Sequence, residues 1–347
     1  MSAATEQPTT TPGPAANRAR GSLFRAEVLR FTSRRFIQVL LGLALLGWLG
    51  AVVIGLLNFG EPSDADLATA TQQRDQFLAA EQEFRQVCEQ DAEQAGQPVD
   101  QFCGPALTAS DVPVQDFLTT APFDLASAGE PGAIGFAAAA AVLAFLVGAT
   151  WIGAEWSTRT IVALLFWVPR RLKVIGTKAA VLALAALGLG VLAQLGWLAM
   201  AWVLDALVGT DDPLPDGFWS GLLAVQARGV LLAVLVGLIG FGLANLTRNT
   251  GAALGVAFVY FAVVENALRI WDPMVDRWLV VSNSVALVAP GGFRVFDHSE
   301  SSSSGEPPSY LLTNLHGGLV VTAFAAVVVG AGVWLFVRRE RAGRHER

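Results

Sequence analysis

The chain has 347 residues, 53% of them hydrophobic and only 15% charged, with a formal net charge of −6. Soluble domains devote roughly a quarter of their residues to charged side chains. The composition therefore excludes an ordinary soluble protein and points to a chain that lives in a bilayer.

The first twenty residues, MSAATEQPTTTPGPAANRAR, are rich in Thr, Pro and Ala. They hold too few apolar groups to pack, so residues 1–21 read as a disordered tail. They do not read as a signal peptide, because the first apolar run begins too late and is too long for one. The next stretch, SLFRAEVLRFTSRRF, sets Phe24, Val28 and Phe31 on one side at helical spacing among arginines. This predicts an amphipathic helix over 22–35, lying at the membrane surface before the first span.

Crossing about 30 Å of hydrocarbon takes about 20 apolar residues. Runs of that kind lie at Phe36–Asn58, Gly132–Ala154, Ala179–Leu204, Gly229–Leu246, Gly251–Leu268 and Gly317–Val337. Lipid offers no partner to backbone amides, and no run alternates at the two-residue period of a membrane barrel, so the runs must be helices. The expected fold is an all-α polytopic membrane protein with six spans over 36–338.

The connection after the first span, 59–131, is too long to be a bare loop. From Asp64 to Gln94 it is rich in Ala, Gln and Glu without Gly or Pro, which predicts one or two helices. This connection carries fourteen Asp and Glu and both cysteines of the chain, Cys88 and Cys103. On an oxidising face the two can form a disulfide, worth about 3 kcal/mol in the chain-entropy picture; two unpaired thiols are the alternative. CxxC spacing and partner histidines are absent, so no metal site is expected.

Within the connection 269–316, WLVVSNSVALVAP (Trp278–Pro290) is apolar but too short to cross, and reads as a re-entrant or interfacial segment. The polar stretch DHSESSSSGEPPS after it reads as a flexible loop. A basic tail, 339–347, closes the chain.

Seventeen of the 23 basic residues fall in the N-terminal segment, the connection 155–178, the turn 247–250 and the C-terminal tail. By the positive-inside rule these segments, and hence both termini, face the cytoplasm across a cell membrane. Twenty-one of the basic residues are Arg and two are Lys, which with abundant Ala, Gly and Val fits a bacterium with a GC-rich genome. Two ionisable residues fall in or beside spans at similar depth, Arg228 opening the fourth and Glu265 inside the fifth. They are a candidate intramembrane pair, since such acids pair or line polar cavities. GAALG, Gly251–Gly255, has the small-xxx-small spacing of close helix packing.

Signatures of catalysis are missing. There is no G-x-x-x-x-G-K-[ST] phosphate loop, no H-E-x-x-H and no Gly-x-Gly-Asp acid pair. GFWSG, Gly217–Gly221, has the wrong spacing for a nucleophile elbow, and His298, His316 and His345 lie outside the predicted spans or at a boundary. The chain is not expected to be an enzyme, so any nucleotide must be bound by another protein.

The connection GAEWSTRTIVALLFWVPRRLKVIGTK, Gly153–Lys178, is amphipathic and basic and is broken by Pro169. A Gly and Glu at the end of a span, a Thr turn, two leucines, Pro, Arg and a Lys opening the next span resemble the type-2 ATP-binding-cassette exporter permeases. The matching positions are Gly153, Glu155, Thr158, Thr160, Leu164, Leu165, Pro169, Arg170 or Arg171, and Lys178; Arg159 stands where the family has Gly. The surface helix before the first span, six spans, and a large connection after the first are similar to the same family, so the resemblance covers about Ser22 to Arg344.

What the resemblance implies is a membrane subunit that exports substrate and works as a homodimer or pseudo-dimer with a separate ATPase chain, which holds ATP and Mg. Ser157–Leu165 would be the coupling helix that docks on the ATPase. Glu155 would be its membrane anchor and hinge, and Arg170, Arg171 and Lys173 its lipid- or partner-facing basic rim. The bilayer is the other expected partner and nucleic acid is not one. A membrane scaffold or sensor with a partner-binding outer loop is the rival reading. A proton-driven transporter is disfavoured by the few protonatable groups in the spans and the lack of internal repeats.

Overall fold

The computed structural model describes residues 23–167, 170–210, 212–296 and 309–345. The expected disordered tail, Pro169, His298 and most of the polar loop after it lie outside the described residues. The chain is an all-α polytopic membrane protein, with six helices long and apolar enough to cross a bilayer.

Helix α1 (Leu23–Thr32) meets α2 (Arg35–Asn58), the first span. Helices α3 (Asp64–Ala95) and α4 (Val99–Phe102) follow, then the second span, α5 (Leu125–Ser157). A short helix, α6 (Thr160–Trp167), leads to the third span, α7 (Arg171–Val208). The fourth span is α8 (Phe218–Thr247). The fifth runs Thr250–Trp271 as α9 (Thr250–Phe258), a π-helical stretch (Val259–Val264) and α10 (Glu265–Trp271). Helix α11 (Val280–Val288), the hairpin β1 (Phe293–Phe296) and β2 (Ser309–Leu312), and the last span, α12 (Asn314–His345), complete the order. The two strands pair antiparallel, with Phe293 opposite Leu312.

The centre of the bundle is α5 against α8. In lipid there is no hydrophobic drive between apolar helices, so close approach of backbones has to supply the attraction. Both helices put small residues at the contact. A Cβ on Gly148 would stand 2.3 Å from the Gly237 carbonyl oxygen, and one on Gly240 would stand 2.4 Å from that of Phe145. Ala133, Ala137, Ala140 and Ala144 continue the α5 face and are buried. Helices α7, α12 and α9 pack around this pair, while α2 is peripheral and touches chiefly α7.

Several spans extend well beyond the apolar runs that mark them. The fourth was expected to open at Gly229 but begins at Phe218, so Arg228 lies inside α8 rather than at its end. The apolar run Trp278–Pro290 is indeed no span: α11 has 9 residues, about 14 Å of helix, and packs between α12 and α8.

Of the one or two helices expected between Asp64 and Gln94, the structure has one of 32 residues. Ser63 caps it in a box with Asp66, and Gly96 ends it in the left-handed conformation at φ 63°. It packs against α4 and the turn Val114–Phe117. Cys88 and Cys103 are joined in a disulfide, with Cα atoms 6.0 Å apart. Replacing both with Ser is expected to loosen only this arm. The 15-residue separation corresponds to about 3 kcal/mol of chain entropy, so limited proteolysis should cut Val99–Phe102 faster while the spans stay intact. Unchanged cleavage would show that packing alone holds the arm.

Candidate functional site

The connection between the second and third spans contains a short helix, α6, entered from α5 through a tight turn. Helix α5 ends at Ser157, whose hydroxyl donates to the Gly153 carbonyl, and Thr158 bonds the Ala154 carbonyl in the same way. Arg159 then adopts φ 56°, the left-handed region. The turn is thus the kind that glycine favours, built here on an arginine. Thr160 opens α6 and its hydroxyl reaches back to the Glu155 carbonyl at 3.3 Å. Exchanging Arg159 for Gly is expected to raise the thermal midpoint of the purified protein, through relief of up to about 1 kcal/mol of left-handed strain. A lowered midpoint would mean that the arginine side chain contributes more than its backbone costs.

A coupling helix was expected over Ser157–Leu165; the helix present here runs Thr160–Trp167, because the left-handed turn uses up residues 158 and 159. The two leucines are correspondingly not its exposed face. Leu164 and Leu165 are half-buried, and Leu165 packs against the bundle core. Phe166 instead stands 85% exposed, with Val162 on the surface before it.

Where α1 meets the end of α5 and the start of α7 lies a cluster of buried charges. Lys178, at 0% exposure, places its ammonium 2.5 Å from Glu27 Oε2 and 2.8 Å from Glu155 Oε2. It also sits over the Trp151 ring, 5.2 Å from the centroid. Glu27 and Glu155 are themselves buried. Arg34 holds Glu155 Oε1 at 3.0 Å and donates to the Trp151 carbonyl at 2.9 Å, while Arg30 reaches Glu27 at 3.2 Å. The edge of Phe31 closes on Trp151 at 5.1 Å.

An ammonium with two carboxylates, each of which has its own arginine, satisfies the condition under which buried charges persist. The elements joined are α1, the end of α5 and the start of α7. Helix α6 lies between the last two in the chain.

The sequence marked Glu155 and Lys178 but not their partners Glu27 and Arg34. A signal was present: Glu27 follows Phe24 by three residues and precedes Phe31 by four, which puts an acid on the apolar face of α1.

The basic rim divides. Arg170 is exposed at the start of α7. Arg171 turns to α12, donating to the Phe336 carbonyl at 3.1 Å and stacking over its ring. On the other side Trp156 donates to Asn245 at 3.0 Å beneath the Arg248 guanidinium, which ties the end of α5 to the end of α8.

The expected pair of Arg228 and Glu265 does not form. Arg228 donates to the Ala224 carbonyl one turn back in α8. Glu265 is buried and accepts from the backbone of Val280 at 2.8 Å and of Val281 at 3.2 Å. A carboxylate at the first turn of α11 meets unpaired N–H groups and the positive end of the helix dipole, so it needs no arginine. Nearby, Asp276 accepts from Arg269 and Ser282, which fastens the turn before α11.

Fold and site together define a polytopic helical membrane protein in which a buried ionic joint ties α1 to the two spans that α6 connects. Compared with known proteins, the chain matches no family model, no curated protein and no solved structure.

Proposed function

We propose that this chain is the membrane-spanning subunit of an ATP-driven exporter, pairing with a second permease chain and with separate ATPase subunits that bind ATP and Mg. The observation that carries the reading is α6: a short apolar helix with an exposed Phe166, bracketed by two spans whose near ends share the Glu27–Lys178–Glu155 joint. A lever of this kind turns a push from a protein partner into a coordinated tilt of α5, α7 and the surface helix.

The concentration of basic residues at the α6 end, and a disulfide between the first two spans, support α6 and both termini facing a bacterial cytoplasm. Phosphate-loop and metalloprotease motifs are absent from the sequence, so the energy source is assigned to another chain.

Purification from native membranes in a mild detergent should bring down a protein with a Walker motif. A stable, homogeneous complex with some other protein on the disulfide-bearing arm, and no ATPase, would favour a scaffold or sensor instead.

A further inference from the structure

Helix α3, outside the spans, carries an apolar seam that faces away from its own packing. Phe77, Ala80, Phe84 and Val87 recur at steps of three and four residues, the a and d spacing of a heptad. All four are exposed, Phe84 by 67% and Val87 by 56%. One turn and a half or more before Phe77 the same line reaches Ala70, which is buried, so the seam is closed at that end. Phe77 meets the ring of Phe117 at 5.9 Å, and from there on the seam is open. At its far end the Cys88–Cys103 disulfide brings in Phe102, which is exposed as well. Single exposed apolar residues need no explanation, but a repeating seam is how one helix presents itself to another.

The charges beside the seam select the kind of helix it fits. Glu81 and Glu83 hold the e and g positions next to Phe84, where paired helices place the charges that choose a partner, and Asp91 takes the next a position. Residues 59–131 carry fourteen acids against two arginines. Both arginines are already paired, Arg74 with Asp75 and Arg85 with Glu89 and Asp100. Among the described residues no ion pair engages Glu83, Asp91 or the neighbouring Glu93, all of them exposed. A second copy would set two acidic arms against each other and bury Asp91 in the contact, and an anionic bilayer surface would be repelled in the same way. A cationic partner gains from both the seam and its flanks.

We propose that the α3 seam docks a cationic amphipathic helix of another polypeptide, with apolar side chains against Phe84 and Val87 and Lys or Arg against Glu81, Glu83 and Asp91. The stretch from Phe77 to Val87 is about 15 Å long, matching about three turns of a partner helix. The surface is separate from α6, and docking there does not depend on the exporter reading.

The test places a photo-crosslinking amino acid at position 80 of the full chain, held in phosphatidylcholine nanodiscs. The probe is a synthetic peptide of about 18 residues, long enough to hold a helix, with Leu at its a and d positions and Lys beside them; a counterpart carries Glu for Lys. The Lys peptide should crosslink saturably and the Glu peptide should not. Phe84→Ser should raise the half-saturating concentration about 30-fold, as loss of an aromatic anchor does. Glu83→Gln with Asp91→Asn should raise it about fivefold and flatten its dependence on salt. All three positions are exposed, and an unchanged thermal midpoint with the disulfide intact shows that the arm is in place. Adducts to lipid alone would mean that the arm lies on the bilayer, and adducts between two copies would mean self-association; either overturns the proposal. So would equal labelling by the Lys and Glu peptides, or a half-saturating concentration that neither variant changes.

Discussion

Replacing Lys178 with Met is expected to destabilise the folded protein by about 3–5 kcal/mol, the cost of leaving buried charge without its partner. Glu27 and Glu155 both lie within 2.8 Å of the ammonium and neither reaches bulk water. Arg34 and Arg30 offset part of the loss but are themselves partly exposed. The double variant Lys178→Met, Glu27→Gln should recover most of it, because Glu155 then keeps Arg34 and no bare carboxylate remains. Thermal unfolding in detergent, run as a double-mutant cycle, separates the coupling from side effects of either change. A single variant as stable as wild type would mean that water or a rearranged arginine replaces the lysine, and that α1 is not locked to the spans.

The second large effect follows from the proposed exporter function and falls on coupling rather than folding. Phe166→Asp should leave insertion and thermal stability unchanged, because the side chain is 85% exposed and makes little contact within the chain. At an apolar docking contact it introduces an unpaired charge. An aromatic hot spot lost in this way costs about 2 kcal/mol or more, roughly a 30-fold loss of partner affinity. In reconstituted vesicles, transport and its stimulation of ATP hydrolysis should both collapse. Leu165→Asp should instead lower stability, since Leu165 packs on the bundle. Arg170→Gln should do little, as an exposed charge at a wet surface contributes under about 1 kcal/mol. Full coupling in Phe166→Asp would move the docking surface elsewhere.

How much of this was legible beforehand depends on the kind of information each feature needs. The six spans and the non-spanning run at Trp278–Pro290 follow from apolar length alone, which the bilayer enforces. Helix ends do not: α5 and α8 extend past their apolar runs through Glu130 and Arg228, which hydropathy discounts although a helix accommodates them. The cysteine pairing was left open by position in the chain, and the fold closes it.

Partners across the bundle were the least legible. Arg228 and Glu265 read as sharing a depth, but depth does not fix which way each helix face turns, and Glu265 found the backbone of α11 instead. The left-handed turn at Arg159 could not be seen in an arginine, and with it the start of α6 at Thr160 and the exposure of Phe166.

The central claim, that α6 is where an ATPase subunit engages this chain, is tested most directly by placing a photo-crosslinking amino acid at position 166. Illumination of native membranes followed by peptide mass mapping identifies what lies against that side chain. The account expects a crosslink to a cytoplasmic protein carrying a Walker motif, at a surface groove of that protein. Crosslinks confined to lipid or to this chain itself, at normal expression and with the partner gene present, would contradict it.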